Sequence, residues 1–277
     1  MTQTHIWWVR RDIRLQDNQT LQAALNGAQY LIPLFVIEPA LMDSAGPKRR
    51  AFLLNALADL DKQLQSLGAR LIVRQGPAVE VLPQLSRALG GAPVFAQRDF
   101  SPFARWRDGE IAKQTTLHLL PGQVLRQPDS VLKADGDPYM VFTPYRRRWL
   151  EGGLPTPAQC LPAPRELPPL LDGLEGIPLP QARPVTGFPA TAKESQRRLE
   201  DFAADELWHY DSDRDRMDLD GTSRLSPYLR FGLLSPRACF ARAGVALSQA
   251  HEEAAQSEIR SWINELIWRE FYTMILF

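Results

Sequence analysis

Residues 257–277 carry side chains whose types suit a planar ligand. At about 100° per residue, one side of a helix over this segment is aromatic or charged. The residues on that side are Trp262, Glu265, Trp268, Arg269 and Tyr272. Flat aromatic rings beside one carboxylate and one guanidinium suit a flavin or a nucleobase. The sequence pattern leaves open the alternative of a helix buried on both sides in a larger core.

The opposite side of this helix is apolar and predicts a core-facing stripe. Its members are Ile259, Ile263, Leu266, Ile267, Phe271 and Met274. Glu270 intrudes among them, and a carboxylate in such surroundings needs a partner.

A turn rich in hydroxyl groups precedes a second predicted helix. Gly221 is followed by Thr222, Ser223, Arg224 and Ser226 within five positions. Hydroxyls and backbone N–H groups around a glycine can bind phosphate oxygens. A simple serine or threonine cap on the following helix explains the same residues.

Basic residues cluster directly after the first predicted strand. Arg10, Arg11 and Arg14 stand in a segment, 10–18, that contains no glycine, which excludes a glycine-rich dinucleotide fingerprint there. They either lie in a solvated loop or line a cleft at the carboxyl end of the sheet. Residues 146–148 and the arginines at 214, 216, 224, 230, 237 and 242 add local basic character to a chain with 32 basic and 32 acidic residues. Solvated surfaces explain those clusters equally well.

The elements that must position these groups follow from hydrophobic patterning. Strand-like runs at 6–9, 31–36, 70–73 and 93–96 alternate with helical patterns, although Pro33 weakens the second run. Leu53, Leu57, Leu60, Leu64 and Leu67 form one helical stripe, which Gly68 ends. This rhythm predicts an α/β domain with a parallel, Rossmann-like sheet over 1–128. A proline- and glycine-rich stretch predicts an irregular connector over 129–190, and helical periodicity follows over 191–277.

Other features narrow the class of protein. Cys160 and Cys239 match no metal-ligand spacing, and we expect reduced thiols in a cytoplasmic protein. No run of 18 apolar residues and no basic leader before an apolar run occurs, so we expect neither a membrane span nor a signal peptide. The final helix lacks a stop signal, which favours a chain that continues in the natural protein.

Several segments resemble motifs of the photolyase and cryptochrome family, in the family's order. They are residues 8–18, 137–145, 221–226, 231–237 and 264–272. The resemblance implies an α/β domain that carries an antenna chromophore, followed by the first part of an all-α domain that binds FAD. By the same resemblance the chain is the N-terminal part of a longer enzyme.

Site residues carry over from the family position by position. The resemblance implies FAD contacts at Tyr210, Thr222, Ser223, Arg224, Leu225, Ser226, Trp262 and Arg269. It implies contacts with UV-damaged DNA at Arg214, Glu265, Leu266, Ile267, Trp268, Arg269, Glu270, Phe271 and Tyr272. Glu265 and Trp268 are the expected catalytic residues.

The implied activity is light-driven repair of cyclobutane pyrimidine dimers by electron transfer from reduced FAD, in a monomer. Glu265 together with Trp268 resembles members that repair this lesion, because (6-4) members typically carry Gln at the first position and plant cryptochromes tend to lose the Trp. A cryptochrome-like blue-light sensor that binds FAD is the alternative. The antenna, expected near residues 98–105, is methenyltetrahydrofolate or a deazaflavin. We expect the 277 residues alone neither to retain FAD nor to repair DNA.

Overall fold

The computed structural model describes residues 3–277; the first two residues of the predicted first domain lie outside the described part. Five parallel strands form one sheet in the order β3-β2-β1-β4-β5. The strands are β1 (Thr4–Trp8), β2 (Tyr30–Ile37), β3 (Ile72–Gln75), β4 (Val94–Gln97) and β5 (Leu117–Leu120). The prediction of a parallel α/β sheet is confirmed. The fifth strand is an addition to the four predicted ones.

Helices cover the sheet and build the second half of the chain. Those of the α/β part are α1 (Gln19–Leu25), α2 (Pro39–Ser44), α3 (Pro47–Ser66), α4 (Ala78–Ala88) and α5 (Pro102–Ala112). They are followed by α6 (Phe142–Leu150), α7 (Ala192–Ala204), α8 (Tyr210–Asp213), α9 (Ser226–Phe231), α10 (Pro236–Gln249) and α11 (Glu253–Leu276). Short 3₁₀ turns lie at Pro128–Ser130, Pro157–Gln159 and Glu206–His209. No helix within residues 3–277 is long and apolar enough to cross a membrane.

The predicted leucine stripe forms the buried face of α3. Leu57, Leu60 and Leu64 are buried under the sheet. Gly68 follows the helix with φ +78°, the left-handed conformation that ends helices cheaply only at glycine. The predicted helix and its stop signal are confirmed.

The connector is less irregular than the sequence predicts. The prediction of irregular chain from 129 to 190 is wrong over α6, whose Tyr145 and Trp149 are fully buried. Burial of two large aromatic side chains stabilises this helix despite the prolines around it.

The proline-rich part of the connector completes the open edge of the sheet. Leu31 N–H donates to Pro169 O at 3.3 Å, and Ile177 N–H donates to Val73 O at 2.9 Å. Pro33 lies two residues after Leu31, so the nitrogens of both residues point to the same side of β2, toward β3. Because β3 pairs with β2 only from Leu34 onward, the N–H that Pro33 lacks would have met no partner strand. This explains how a proline is tolerated in β2.

Hydrogen bonds from side chains of the α/β part join it to the connector and to the helical part. Arg14 donates to Gly232 O at 2.9 Å, and Asp17, with φ 48°, accepts from Leu161 N–H at 3.0 Å. Asp17 also accepts from the Ser235 hydroxyl at the start of α10. One hydrophobic core runs through both parts, so the two sequence-distant halves pack as one body.

Candidate functional site

A cleft of about 650 Å³ lies between the two parts. One wall comes from the segments after β1 and β4, where Arg11, Asp99 and Ser101 are found. The other comes from α8, α9 and α11. Ligands in parallel α/β folds bind beyond the carboxyl ends of strands. The volume falls within the roughly 300–1,000 Å³ typical of ligand pockets.

Most of the predicted flavin contacts meet in this cleft. Its lining includes Tyr210, Ser223, Leu225, Ser226, Trp262 and Arg269. Glu265 and Leu266, from the predicted DNA set, line it as well. Thr222 and Arg224 lie outside the lining, and Arg224 instead pairs with Asp220 at 2.7 Å.

The wall from α11 follows from its sequence spacing. Trp262, Glu265 and Arg269 are separated by steps of three and four, which place them on one side of a helix. Trp262 is nearly buried, and its ring packs against Phe202 with centroids 5.0 Å apart. Core contacts therefore hold the Trp262 end of this wall, and Glu265, between Trp262 and Arg269, is its more exposed member.

The turn before α9 offers backbone donors. Arg224 has φ 49° and Leu225 has φ −88°, ψ −6°, a left-handed then right-handed pair of the kind that gathers N–H groups into an anion-binding concavity. Within residues 3–277 the N–H groups of Ser223, Arg224 and Leu225 donate to no protein atom. The capping alternative is not supported, because the residue at the N-cap of α9 is Leu225 and makes no side-chain cap.

Partly buried arginines give the cleft a positive wall. Arg11 Nε lies 3.1 Å from Asp99 Oδ2. Burial lowers the pKa of Arg11 to about 10, and the nearby charges of Arg230 and Arg269 act in the same direction. Burial likewise lowers the pKa of Arg269, whose Nη1 donates to Gln123 O at 2.9 Å. An anionic ligand group would relieve the repulsion among these guanidinium groups.

Trp268 lies beside the cleft rather than in its lining. Its ring stacks on Phe142 of α6 with centroids 3.6 Å apart and planes 8° from parallel. The Tyr272 ring also stacks on Trp268, with ring centroids 5.5 Å apart, and Tyr272 is 59% exposed. The predicted aromatic face of α11 thus divides into a cleft portion and an aromatic stack next to it.

Besides the cleft residue Leu266, three members of the predicted DNA set are buried in the helical part. Ile267, Glu270 and Phe271 expose almost no surface. Glu270 accepts hydrogen bonds from the N–H groups of Leu125 and Arg126 and from Trp149 Nε1 at 2.7 Å. Their burial does not support the sequence-based assignment to DNA.

The sequence predicts that Glu270, a carboxylate within an apolar stripe, needs partners, and the structure supplies them. It ties the loop after β5, and with it the cleft residue Gln123, to α11. Burial raises the pKa of Glu270, while these donors and Arg269 oppose the shift. The residue therefore acts on the cleft through the loop that it anchors.

We expect Glu270→Gln to lower the free energy of unfolding by about 3 kcal/mol, because an amide NH₂ would face donors that now meet carboxylate oxygens. Urea denaturation measures the loss. The control Glu151→Gln alters an exposed carboxylate that pairs with Arg148 and should change stability by less than about 0.5 kcal/mol. Equal effects of the two changes would contradict an anchoring role for Glu270.

A second cleft, of about 280 Å³, lies beyond β1 and β2. Arg11, Asp99, Ser101 and Arg230 line both clefts and form the partition between them. The smaller cleft also takes Phe103 from the predicted antenna segment.

The basic cluster after β1 divides between these clefts and the core. Arg10 lines the smaller cleft and pairs with Asp108 at 2.7 Å, and Arg11 lines both. Arg14 is buried and donates to Asp17 O at 3.0 Å. The cleft interpretation therefore holds for the first two arginines, and the third stabilises the fold.

Sequence reasoning missed some residues of the larger cleft. Gln123 comes from a loop whose sequence contains no pattern that marks a site, and Phe100 lies in the segment 98–105, which was expected to contact the antenna and not the flavin. Arg230 was visible only as one of several scattered basic residues. Its place at the end of α9, opposite Arg11, depends on tertiary structure.

Comparison with known proteins shows which family the chain belongs to. The family model for DNA photolyase matches residues 5–165, more than half of the chain. The chain belongs to the DNA photolyase family.

Individual relatives agree with the photolyase assignment. A deoxyribodipyrimidine photo-lyase from a Synechococcus species is 33% identical to this chain. The match covers 98% of this chain and 60% of that protein. An uncharacterised 31.6 kDa protein from another Synechococcus strain is 33% identical, with 96% of this chain and 98% of that protein covered. The crystal structure of a class III photolyase from Agrobacterium tumefaciens superposes with TM-score 0.82 at 27% identity, over all of this chain and 59% of that one. The chain thus spans about 60% of the length of the named photo-lyases that it matches.

Proposed function

We propose that the whole protein repairs cyclobutane pyrimidine dimers in UV-damaged DNA, with light and an electron from reduced FAD held in the larger cleft. The observation that carries the proposal is the convergence of two separate motifs on that cleft. Ser223, Leu225 and Ser226 from the hydroxyl-rich turn line the same cleft as Trp262 and Arg269 from α11. We further propose a monomer that acts in the cytoplasm.

The residues present fit a flavin dinucleotide. The N–H groups of residues 223–225, the hydroxyls of Ser223 and Ser226 and the Arg269 guanidinium are donors suited to phosphate oxygens. Leu225, Leu229 and Trp262 offer apolar surface for flat rings. We assign Arg269 to the cofactor rather than to DNA because it lines the larger cleft and its guanidinium is held there by Gln123 O.

When bound, reduced FAD would, on excitation by light, lend the electron that opens the cyclobutane ring and take it back once the ring has split. The protein positions the lesion, and we assign that task to Glu265, whose side chain lies on the cleft wall and is 38% exposed. A hydrogen bond from a pyrimidine N–H to its carboxylate would hold the dimer in place on the cleft wall. Trp268, held flat against Phe142, would form an aromatic wall beside the lesion.

The dimer has to leave the duplex to reach such a cleft. Unstacking costs a few kcal/mol and least at a damaged site, so contacts with the DNA backbone must hold the duplex meanwhile. Arg214 stands next to Glu265 and supplies a cation for a phosphate. Tyr272 adds exposed aromatic surface on the same helix.

We propose that the smaller cleft holds the antenna chromophore. Trp8 forms its floor, with the guanidinium carbons of Arg10 and Arg107 4.5 and 4.6 Å from the ring centroid. The shared partition brings a chromophore there within one layer of side chains of the larger cleft. Methenyltetrahydrofolate and a deazaflavin both remain candidates.

Flavin binding tests the assignment of the larger cleft. We expect the whole protein to bind FAD and Arg269→Met to weaken binding at least about tenfold, because one charge-assisted contact is worth roughly 1.5–3 kcal/mol. Visible absorbance of the purified protein and quenching of tryptophan fluorescence measure the binding. Ser226→Ala, a smaller change in the same cleft, should weaken it less.

Arg242→Met is the matched control, because Arg242 pairs with Glu200 away from the cleft. It should leave FAD affinity unchanged. An Arg269→Met protein that folds and binds FAD as tightly as the control would contradict the assignment. A protein that binds FAD but leaves dimers unrepaired in the light would favour the blue-light sensor instead.

A further inference from the structure

Two residues that the proposed function gives to DNA are joined to each other in this structure. Arg214 Nη1 donates to Glu265 Oε1 at 2.6 Å. Glu265 lines the larger cleft, and the Arg214 guanidinium carbon lies 5.7 Å from the ring centroid of Tyr210, another cleft residue. Glu265, proposed to contact the lesion, and Arg214, proposed to contact a phosphate, are thus bonded to each other in the absence of DNA.

The fold builds this pairing through two further contacts between α8 and α11. Glu258, Ser261 and Glu265 follow one another at steps of three and four along one side of α11. Glu258 Oε2 accepts from Ser212 N–H at 3.2 Å, and Ser261 Oγ donates to Asp211 Oδ1 at 2.6 Å. These contacts dock α8 so that the arginine after it faces Glu265.

The pair is open to exchange with other ions. The side chains of Arg214 and Glu265 are 30% and 38% exposed, and ion pairs in water contact are weak and replaceable. The Arg10–Asp108 pair beside the smaller cleft, with 7% and 3% exposure, shows the contrasting buried case. A DNA phosphate can therefore compete for Arg214 at little cost.

We propose that Arg214 is a positioning residue that holds Glu265 until DNA binds, when a phosphate takes Arg214 and the lesion takes Glu265. The inference rests on the proposed function. Undamaged DNA offers a phosphate but no dimer, so releasing Arg214 leaves Glu265 without a partner. Damaged DNA satisfies both groups. The exchange therefore weakens binding to undamaged DNA and sharpens discrimination.

The test compares the affinity of the whole protein for an undamaged duplex with its affinity for the same duplex carrying one thymine dimer. We expect Glu265→Gln to bind the undamaged duplex about two- to fivefold more tightly, the range of one exposed ion pair, and to lose discrimination. Arg214→Met should weaken binding to both duplexes. In the Arg214→Met background, Glu265→Gln should no longer raise affinity.

Arg214→Lys keeps the cation and is the rescue control, so the gain from Glu265→Gln should return in that background. If Glu265→Gln still raised affinity for the undamaged duplex in the Arg214→Met background, general charge repulsion would be the cause and the proposal would be overturned. The proposal would also be overturned if Glu265→Gln alone did not raise that affinity. In both of those cases a wild-type preference for the damaged duplex leaves the proposed function intact. A wild-type protein without affinity for either duplex overturns both.

Discussion

Replacing Glu265 with alanine should lower the repair yield per absorbed photon while FAD stays bound. The carboxyl group lies on the cleft wall, and its bond in the structure goes to Arg214, not to a group that supports the turn before α9. A charge-assisted hydrogen bond is worth roughly 1.5–3 kcal/mol, which is on the order of ten- to a hundredfold in the step that it assists. The yield is measured from dimer loss per photon in protein of known flavin content.

Glu253→Ala is the control for this prediction, because Glu253 pairs with Arg260 at the start of α11 and is 82% exposed. Its flavin content and yield should match those of the unmodified protein. If Glu265→Ala lost its flavin but kept its yield in the molecules still loaded, Glu265 would belong to the cofactor rather than to the lesion.

Replacing Gly232 with alanine should separate the two halves of the fold. A Cβ at this position would lie 1.8 Å from the carbonyl oxygen of Arg11 and 2.7 Å from Asp12 N, and the backbone has φ +76°. Backbone atoms cannot yield as a flexible side chain does, so the two parts must move apart. We expect a loss of about 4 kcal/mol, the combined cost of overpacking and left-handed backbone.

Gly187→Ala separates these two costs. Gly187 has φ +75°, but a Cβ there would meet no atom within 4 Å. We expect a loss of about 1 kcal/mol from the backbone alone. Urea midpoints compare the two variants, and equal losses would contradict the close contact between Gly232 and the Arg11 backbone.

That contact gives a physical reason for two motifs that lie far apart in the sequence. The segment after β1 contains Arg14, which donates to Gly232 O, and Asp17, which accepts from Ser235 and Arg237. Local patterning gives no reason to bring residues 10–18 and residues 231–237 together. Only their packing shows that they form one interface between the two parts.

Local patterns sufficed for much of the fold. Leucine spacing predicts α3, and apolar runs predict four of the strands, because each depends on residues close in sequence. The fifth strand, β5, was missed because it is short, half-exposed and contains His118 among its leucines. The helix α6 was missed because its stability comes from burial of Tyr145 and Trp149 amid proline-rich sequence.

The part of the site that lies on a single helix was predictable from the sequence. The spacing of Trp262, Glu265 and Arg269 fixes their common side of α11 without knowledge of the rest. The stack of Trp268 on Phe142 was not predictable, because it joins residues far apart in the chain. Neither was the full set of Glu270 partners, which belong to a loop and to α6.

Light-dependent repair by the whole protein tests the central claim most directly. A dimer-containing oligonucleotide is mixed with flavin-loaded protein, and recovery of the undamaged bases is followed in blue light and in the dark. We expect recovery in the light alone, and its strong reduction in the Glu265→Ala protein at equal flavin content. Bound flavin with no recovery in the light, or equal recovery in the dark, would contradict the claim that this cleft performs light-driven repair.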